Sequence, residues 1–209
     1  RSGPFFAASD FIEATISGKG GHAAKPHETI DPTVIASQIV VALQTIASRR
    51  TDPVEQVVVS ITSFETSSTA FNVIPQEVKI KGTVRTLDPD VRDLAEKEFL
   101  RITELTAEAM GGSADAKFTR GYPVMSNSSE QTEFAAKVAR DVAGECAEAP
   151  LVMGGEDFAY MLEERPGAYI LLGNGDSSPV HHPKYNFNDD AIPFGCSWLV
   201  ELVEQKMPA

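Results

Sequence analysis

Hydrophobic and polar residues alternate in several stretches of the first half of the chain. The alternation is regular over residues 10–17 and 77–86, and residues 56–64 form a run rich in β-branched side chains. A period of two residues is the spacing of half-buried strands. These runs predict three strands, and a fourth is expected near residues 115–119.

Two stretches between these strands have apolar residues at helical spacing, and each opens on an Asp-Pro pair. Asp31-Pro32 and Asp88-Pro89 both place a capping residue before a proline of the first helical turn. The first helix is expected to run to about Ser48, and the second to end at Gly111-Gly112. The resulting order, β-α-β-β-α-β, is typical of a ferredoxin-like unit.

The rest of the chain has a different pattern, typical of mixed α/β structure. Helical spacing predicts helices over residues 129–143, 156–162 and 193–205, and an apolar run predicts a buried strand over residues 168–172. The interpretation is therefore a ferredoxin-like domain over residues 9–120, with residues 1–8 and 121–209 in a second, α/β domain.

Charge and composition narrow the class of partner. The net charge of −12, from 30 acidic and 18 basic side chains, argues against nucleic acid as a partner. No apolar run is long enough for a bilayer span, so no membrane association is expected. Two widely spaced cysteines indicate unpaired thiols in a reducing compartment, which favours the cytoplasm. The start at Arg1, without an initiator Met or a signal-peptide pattern, is read as an internal start.

All four histidines lie in predicted loops beside Gly or Pro. They are His22, His27, His181 and His182. Loop histidines are commonly solvated surface residues, although binding groups also favour loops. His181 and His182 are neighbours and should point to opposite sides of an extended chain, so at most one is expected to bind a given metal ion. A catalytic zinc needs about three protein ligands, and no His-Glu-x-x-His or His-x-Asp pattern completes the set.

Three further candidates have structural interpretations, and two of them also allow a functional one. The carboxylates in Gly154–Phe158 either cap a helix or line a site. Arg85 either continues a solvated strand face or holds a substrate carboxylate with two hydrogen bonds. Asn72, shortly before Pro75, is by default a turn residue.

Five motifs, taken in order, resemble the aminoacylase/hippurate hydrolase group of dinuclear metallopeptidases, which includes the plant auxin-conjugate hydrolases. They are Gly18–Ala24 with Asp31-Pro32, Phe71–Pro75, Gly82–Thr86, Gly154–Phe158 and His181–Asp189. The resemblance covers essentially the whole chain. It implies a ferredoxin-like lid that commonly forms the dimer, inserted into a zinc-peptidase-like α/β catalytic domain of which this chain holds the C-terminal half.

The resemblance also implies roles for single residues. His181 corresponds to a metal ligand, whereas His182 occupies a position where the group often has Ser or Asn. His22 corresponds to the catalytic lid histidine that reaches the partner subunit's site and stabilises the oxyanion, and Asn72 and Arg85 correspond to residues that bind the substrate's amide and carboxylate. The implied substrate is an N-acyl amino acid, and the implied cofactor is a divalent metal, two zinc ions or manganese or cobalt in the complete enzyme.

The other metal ligands and the general base of the group would precede Arg1, so this chain alone is expected to be inactive and to bind metal at most weakly. Three hypotheses remain open from the sequence: an amidohydrolase that functions with an N-terminal half, a dimerisation or binding module without catalysis, and a remnant. An adjoining reading frame that encodes the missing half would favour the first.

Overall fold

The computed structural model describes residues 1–207 of the chain, which form two compact units. The lid unit comprises Phe6–Met125 and Val152–Tyr160. The C-terminal unit comprises Arg1–Phe5, Ser126–Leu151 and the chain from Met161 onward. The stretch predicted as a ferredoxin-like domain lies within the lid unit, and we use this name without implying that the unit folds alone.

The strands and helices have the following bounds. The strands are β1 (Gly3–Phe6), β2 (Ala8–Ser17), β3 (Gly21–His22), β4 (Val57–Thr66), β5 (Val73–Ile74), β6 (Glu77–Thr86), β7 (Ser113–Thr119) and β8 (Met125–Asn127). The helices are α1 (Pro32–Leu43), α2 (Pro89–Ala109), α3 (Ser129–Ala143), α4 (Phe158–Glu164) and α5 (Ile192–Lys206).

The lid unit is built on a four-stranded antiparallel sheet in the order β4-β6-β2-β7. Helices α1 and α2 pack on one face of this sheet, and Ile16, Ile39 and Phe99 are fully buried between the two layers. Burying a side chain of this size contributes about 1.5–3 kcal/mol relative to leaving it exposed. The predicted β-α-β-β-α-β order is confirmed, and the other face of the sheet carries mostly polar side chains.

Both Asp-Pro pairs cap their helices as predicted. The Asp31 carboxylate accepts a hydrogen bond from Thr33 N at 2.8 Å, and Asp88 accepts from Asp90 N at 2.8 Å. Gly111, just past α2, has a φ of +83°, which only glycine adopts without strain. The first helix ends earlier than expected, at Leu43, and continues after a break as a π-helical turn.

A buried ion pair connects helix α2 to the first residues of β2, and the same carboxylate binds the chain just after β7. The Arg92 guanidinium donates from Nε to Asp10 Oδ2 at 3.0 Å, and Asp10 Oδ1 also accepts from Gly121 N at 3.0 Å. Both side chains are almost completely shielded from solvent. Removing one partner of such a pair leaves a buried charge unpaired, so the pair fixes where the chain enters and leaves the sheet.

In the C-terminal unit, α3 and α5 pack together, and β1 pairs with β8. The indole nitrogen of Trp198 donates to Ala135 O at 3.1 Å and joins the two helices. The helices predicted over residues 129–143 and 193–205 are confirmed. Among residues 1–207 no helix is long and apolar enough to cross a membrane.

The predicted buried strand over residues 168–172 is wrong. This segment has no regular structure, and Leu171 and Leu172 are 53% and 52% exposed. Instead of a strand ladder, the side chain of Asn127 satisfies the backbone of Tyr169: its Oδ1 accepts from Tyr169 N at 2.8 Å and its Nδ2 donates to Tyr169 O at 3.0 Å. An apolar run without a neighbouring strand does not become a strand.

Candidate functional site

His22 and Asn72 come from separate segments and meet in one groove of the lid unit. Strand β3 pairs antiparallel with β5, so that His22 lies opposite Val73. Next to this pair, Ala23 N donates to Asn72 O at 3.0 Å. The groove has a volume of about 450 Å³ and is lined by residues 20–22, 67–68 and 72–76. Both predicted residues line it.

The glycines before His22 allow this ribbon to form. A Cβ atom on Gly20 would lie 2.6 Å from Ile74 O, closer than real Cβ contacts. Gln76 then holds the turn, because its Oε1 accepts from Gly20 N at 3.1 Å and its backbone O accepts from Gly18 N at 3.0 Å. Sequence reasoning missed Gln76, because a glutamine ahead of a strand carries no distinctive signal.

The imidazole of His22 is exposed and orientated by its own turn. Its Nδ1 accepts a hydrogen bond from Ala24 N at 3.1 Å. A neutral imidazole has one donor and one acceptor nitrogen, so this contact assigns the proton to Nε2. His22 therefore presents an N–H donor, as stabilisation of an oxyanion requires.

Arg85 lies on the polar face of the lid sheet without an acidic neighbour. Its cross-strand partners are Ser9 on β2 and Val58 on β4. By contrast, Lys79 lies opposite Glu65 in the same register. The Arg85 guanidinium donates to Val84 O at 3.1 Å and forms no ion pair within the described part of the chain. It is half-buried and remains able to bind a carboxylate.

The structure does not bring Arg85 to the groove of His22 and Asn72. Gln76 lines the groove and directly precedes β6. Arg85 lies eight residues along this strand from Glu77, which is about 26 Å at about 3.3 Å per residue. An N-acyl amino acid has the reach of about two extended residues, about 7 Å. One copy of the lid therefore cannot apply His22 and Arg85 to the same small molecule.

His181 and His182 lie in the C-terminal unit and have different environments. His182 holds a turn, since its Nδ1 accepts from Lys184 N at 3.1 Å. His181 has a φ of 68°, and within residues 1–207 it is the one residue other than glycine with positive φ. Such strain is concentrated at functional sites. The His181 imidazole is exposed, so its ring nitrogens are accessible to a ligand.

The described residues do not bring together a complete metal centre. Among residues 1–207 no group of three His, Cys, Asp or Glu side chains converges. In the predicted Gly154–Phe158 motif, Glu156 Oε1 accepts from Phe158 N at 3.4 Å, as a residue at the start of α4 would. The packing of Gly155 explains the second glycine of this motif, because an added Cβ atom would lie 2.7 Å from the Cβ atom of Ser9.

Comparison with known proteins assigns the chain to a family of peptidases and amidohydrolases. The chain belongs to the peptidase family M20/M25/M40, whose family model matches residues 26–205. The resemblance to the hippurate hydrolase group and the predicted fold class are thereby confirmed.

Three proteins illustrate the similarity. N-acetyl-L-cysteine deacetylase of Bacillus subtilis is 37% identical over 205 residues, covering 98% of this chain and 49% of that protein. Hippurate hydrolase of Campylobacter jejuni is 36% identical over 208 residues, covering 97% and 53%. The crystal structure of the Bacillus subtilis YXEP protein, a dinuclear metal-binding peptidase, matches with a TM-score of 0.80 and 29% identity, covering 97% and 51%. The chain spans about half the length of the curated relatives it matches.

Proposed function

We propose that this chain is the lid and C-terminal part of a metal-dependent amidohydrolase that cleaves the amide bond of N-acyl amino acids. The observation that carries the proposal is the meeting of His22 and Asn72 in one groove. The names of the deacetylase and of hippurate hydrolase support the substrate class. We also propose that the protein is located in the cytoplasm and that N-acyl amino acids are its small-molecule partners.

Three lid residues are proposed to bind the substrate and to polarise its amide. His22 Nε2–H donates to the oxygen that becomes negatively charged when the amide carbon is attacked. Asn72 binds the substrate's amide from the same groove. Arg85 binds the carboxylate with two hydrogen bonds, which fixes the direction of the substrate. In this scheme the lid orientates the substrate and stabilises developing charge.

The separation of Arg85 from the groove implies that two copies of the lid share one substrate. A site that uses both His22 and Arg85 must take them from different copies, because about 26 Å separates the groove from Arg85 along β6. A two-fold dimer supplies this arrangement twice. We therefore propose a homodimer in which His22 and Asn72 of one subunit serve the site of its partner.

His181 is the proposed metal ligand of the chain. A bound divalent metal supplies a polarised water as the nucleophile in enzymes of this type. The dinuclear site of YXEP supports this cofactor class for the complete enzyme, with zinc, manganese or cobalt as candidates. The residues of this chain hold the metal at one position, and the further ligands are proposed to come from the family's N-terminal half.

The open edge of the lid sheet supports the dimer proposal. Within the described residues, strand β4 pairs on one side only, with β6, and helix α1 packs against β6 and β4. Helix α1 contains no charged residue in a chain of net charge −12. Its Val34 and Val41 are 50% and 66% exposed. A long unpaired edge beside an uncharged apolar helix face is a surface that favours a second copy.

Placing charges on this helix face is expected to separate the subunits. The double change Val34→Glu and Val41→Glu should convert a dimer into a monomer at micromolar concentration, because like charges would face each other across the two-fold axis. Sedimentation velocity measures the change, and Leu105→Glu, at a 50% exposed position of α2, is the control that should leave the dimer intact. A wild-type protein that is monomeric at high micromolar concentration would contradict the proposal.

The activity itself is tested in the complete enzyme, with the family's N-terminal half on the same or a second polypeptide. His22→Ala is expected to lower kcat for N-acetylglycine and hippurate by about 10²- to 10³-fold, the usual effect of removing an oxyanion donor. Val54→Ala is the matched surface control. Absence of hydrolysis in the complete wild-type enzyme would leave the lid as a binding or dimerisation module.

A further inference from the structure

The groove beside His22 has no charged side chain in its lining. Residues 20–22, 67–68 and 72–76 include no Lys, Arg, Asp or Glu. The substrate class proposed above has two ends, a carboxylate on the amino-acid side and an uncharged acyl group on the other. A groove without a cation does not compensate the desolvation of a carboxylate. The uncharged acyl end of the substrate therefore fits this groove better than the carboxylate end.

Arg85 gives an independent reason for the same orientation. It is the cation proposed for the carboxylate, and it lies about 26 Å along β6 from the end of the strand that adjoins the groove. The substrate's carboxylate is therefore directed to a surface other than this groove. The groove, which the second copy of the lid contributes, can then receive the acyl side of the scissile amide.

Val73 is the apolar residue closest in register to His22. The two residues face each other across the β3–β5 ladder, and directly opposite residues have Cβ atoms about 4.5–5.5 Å apart. Val73 is 43% exposed, whereas its neighbour Ile74 is buried. Val73 therefore lines the groove beside the imidazole that is proposed to polarise the carbonyl.

We propose that this groove receives the acyl group of the substrate and that Val73 sets the size of acyl group that is accepted. The inference rests on the proposed function, in which His22 stabilises the oxyanion of an N-acyl amino acid. A β-branched side chain beside the carbonyl leaves room for a small acyl group and contacts the first carbons of a larger one. Val73 is thus a specificity-determining residue.

The experiment compares two substrate pairs in the complete enzyme. N-acetylglycine and N-benzoylglycine differ only in the acyl group, whereas N-acetylglycine and N-acetylphenylalanine differ only in the amino acid. Val73→Ala is expected to raise the benzoyl-to-acetyl ratio of kcat/KM by about tenfold, and Val73→Phe to lower it by about tenfold. The amino-acid ratio should change by less than about twofold. Val54→Ala should change neither ratio.

The outcomes separate this inference from the function on which it rests. Hydrolysis that depends on His22 but shows an unchanged acyl ratio in both Val73 variants would overturn the inference and leave the function standing. A shift in the amino-acid ratio instead of the acyl ratio would also overturn it. Loss of all N-acyl hydrolysis in the wild-type enzyme would overturn both. Val73→Ile is the second enlargement if Val73→Phe fails to fold, as judged by circular dichroism.

Discussion

Mixed dimers of His22→Ala and Arg85→Ala subunits are expected to recover about half of the wild-type hydrolysis, although each variant alone is strongly impaired. The His22 variant should lose about 10²- to 10³-fold in kcat. The Arg85 variant should lose about 10- to 100-fold in kcat/KM, the usual cost of a lost hydrogen bond to a charged group.

The recovery follows from the distance within one lid. His22 and Arg85 are too far apart along the sheet for one copy to place both on a small substrate. In a mixed dimer, one site receives His22 from the Arg85→Ala subunit and Arg85 from the His22→Ala subunit. That site is intact, and the other lacks both side chains.

The measurement uses two different affinity tags and sequential purification of the mixed dimer. Hydrolysis of hippurate by mixed dimers at about half the wild-type rate supports shared sites. Mixed dimers that are as inactive as the two parent variants would show that His22 and Arg85 act within one subunit or on different ligands. The double variant, carrying both changes on every subunit, is the inactive control.

Replacing His181 by alanine is expected to lower hydrolysis in the complete enzyme by about 10³-fold or more, because catalytic metal sites rely on about three protein ligands and tolerate poorly the loss of one. The strained backbone and the exposed imidazole single out this residue. The bound metal, measured by elemental analysis after dialysis, should fall in parallel.

The neighbouring histidine provides a matched control. His182 accepts from Lys184 N, and an asparagine side chain can accept the same bond two residues on, so His182→Asn should preserve the turn. Its activity and metal content should remain close to wild type. An active His181→Ala variant that retains its metal would remove His181 from the metal site.

Local signals in the sequence predicted the lid well. The two Asp-Pro pairs fixed the helix starts because cap and proline act within a single turn. The alternating pattern over residues 77–86 matches β6 at both ends, since side-chain alternation is a property of the strand itself. Family resemblance supplied His22, Asn72, Arg85 and His181, whose roles remain proposals.

Features that depend on distant parts of the chain could not be predicted in this way. The strand expected over residues 168–172 failed because pairing needs a neighbouring strand, and the side chain of Asn127 satisfies that backbone instead. The separation of Arg85 from His22 depends on sheet register and on which end of β6 adjoins the β3–β5 ribbon. Neither is encoded in the local pattern.

The local contacts that support the two candidate loops were also invisible from the sequence. Gln76 fastens the turn before His22 through hydrogen bonds to Gly18 and Gly20, but a glutamine ahead of a strand resembles any surface residue. The left-handed backbone of His181 likewise follows from the fold of its loop. Such residues are recognised only when the partners that they contact are known.

An apolar groove in the C-terminal unit bears on whether this chain is active without further polypeptide. It has a volume of about 940 Å³, and Leu172, Phe194 and Trp198 are among its lining residues. An apolar surface of this kind favours association with further polypeptide. We propose that the family's N-terminal half covers it and also supplies the other metal ligands.

The central claim is that this chain contributes a lid and one metal ligand to an N-acyl amino acid hydrolase and does not form the site alone. The most direct test is hydrolysis of N-acetylglycine and hippurate by residues 1–209, with zinc, cobalt or manganese, in the absence and presence of the N-terminal half. No turnover by the chain alone and turnover with the added half are the predicted results. Turnover by the chain alone that survives repurification and is lost in His181→Ala would contradict the account.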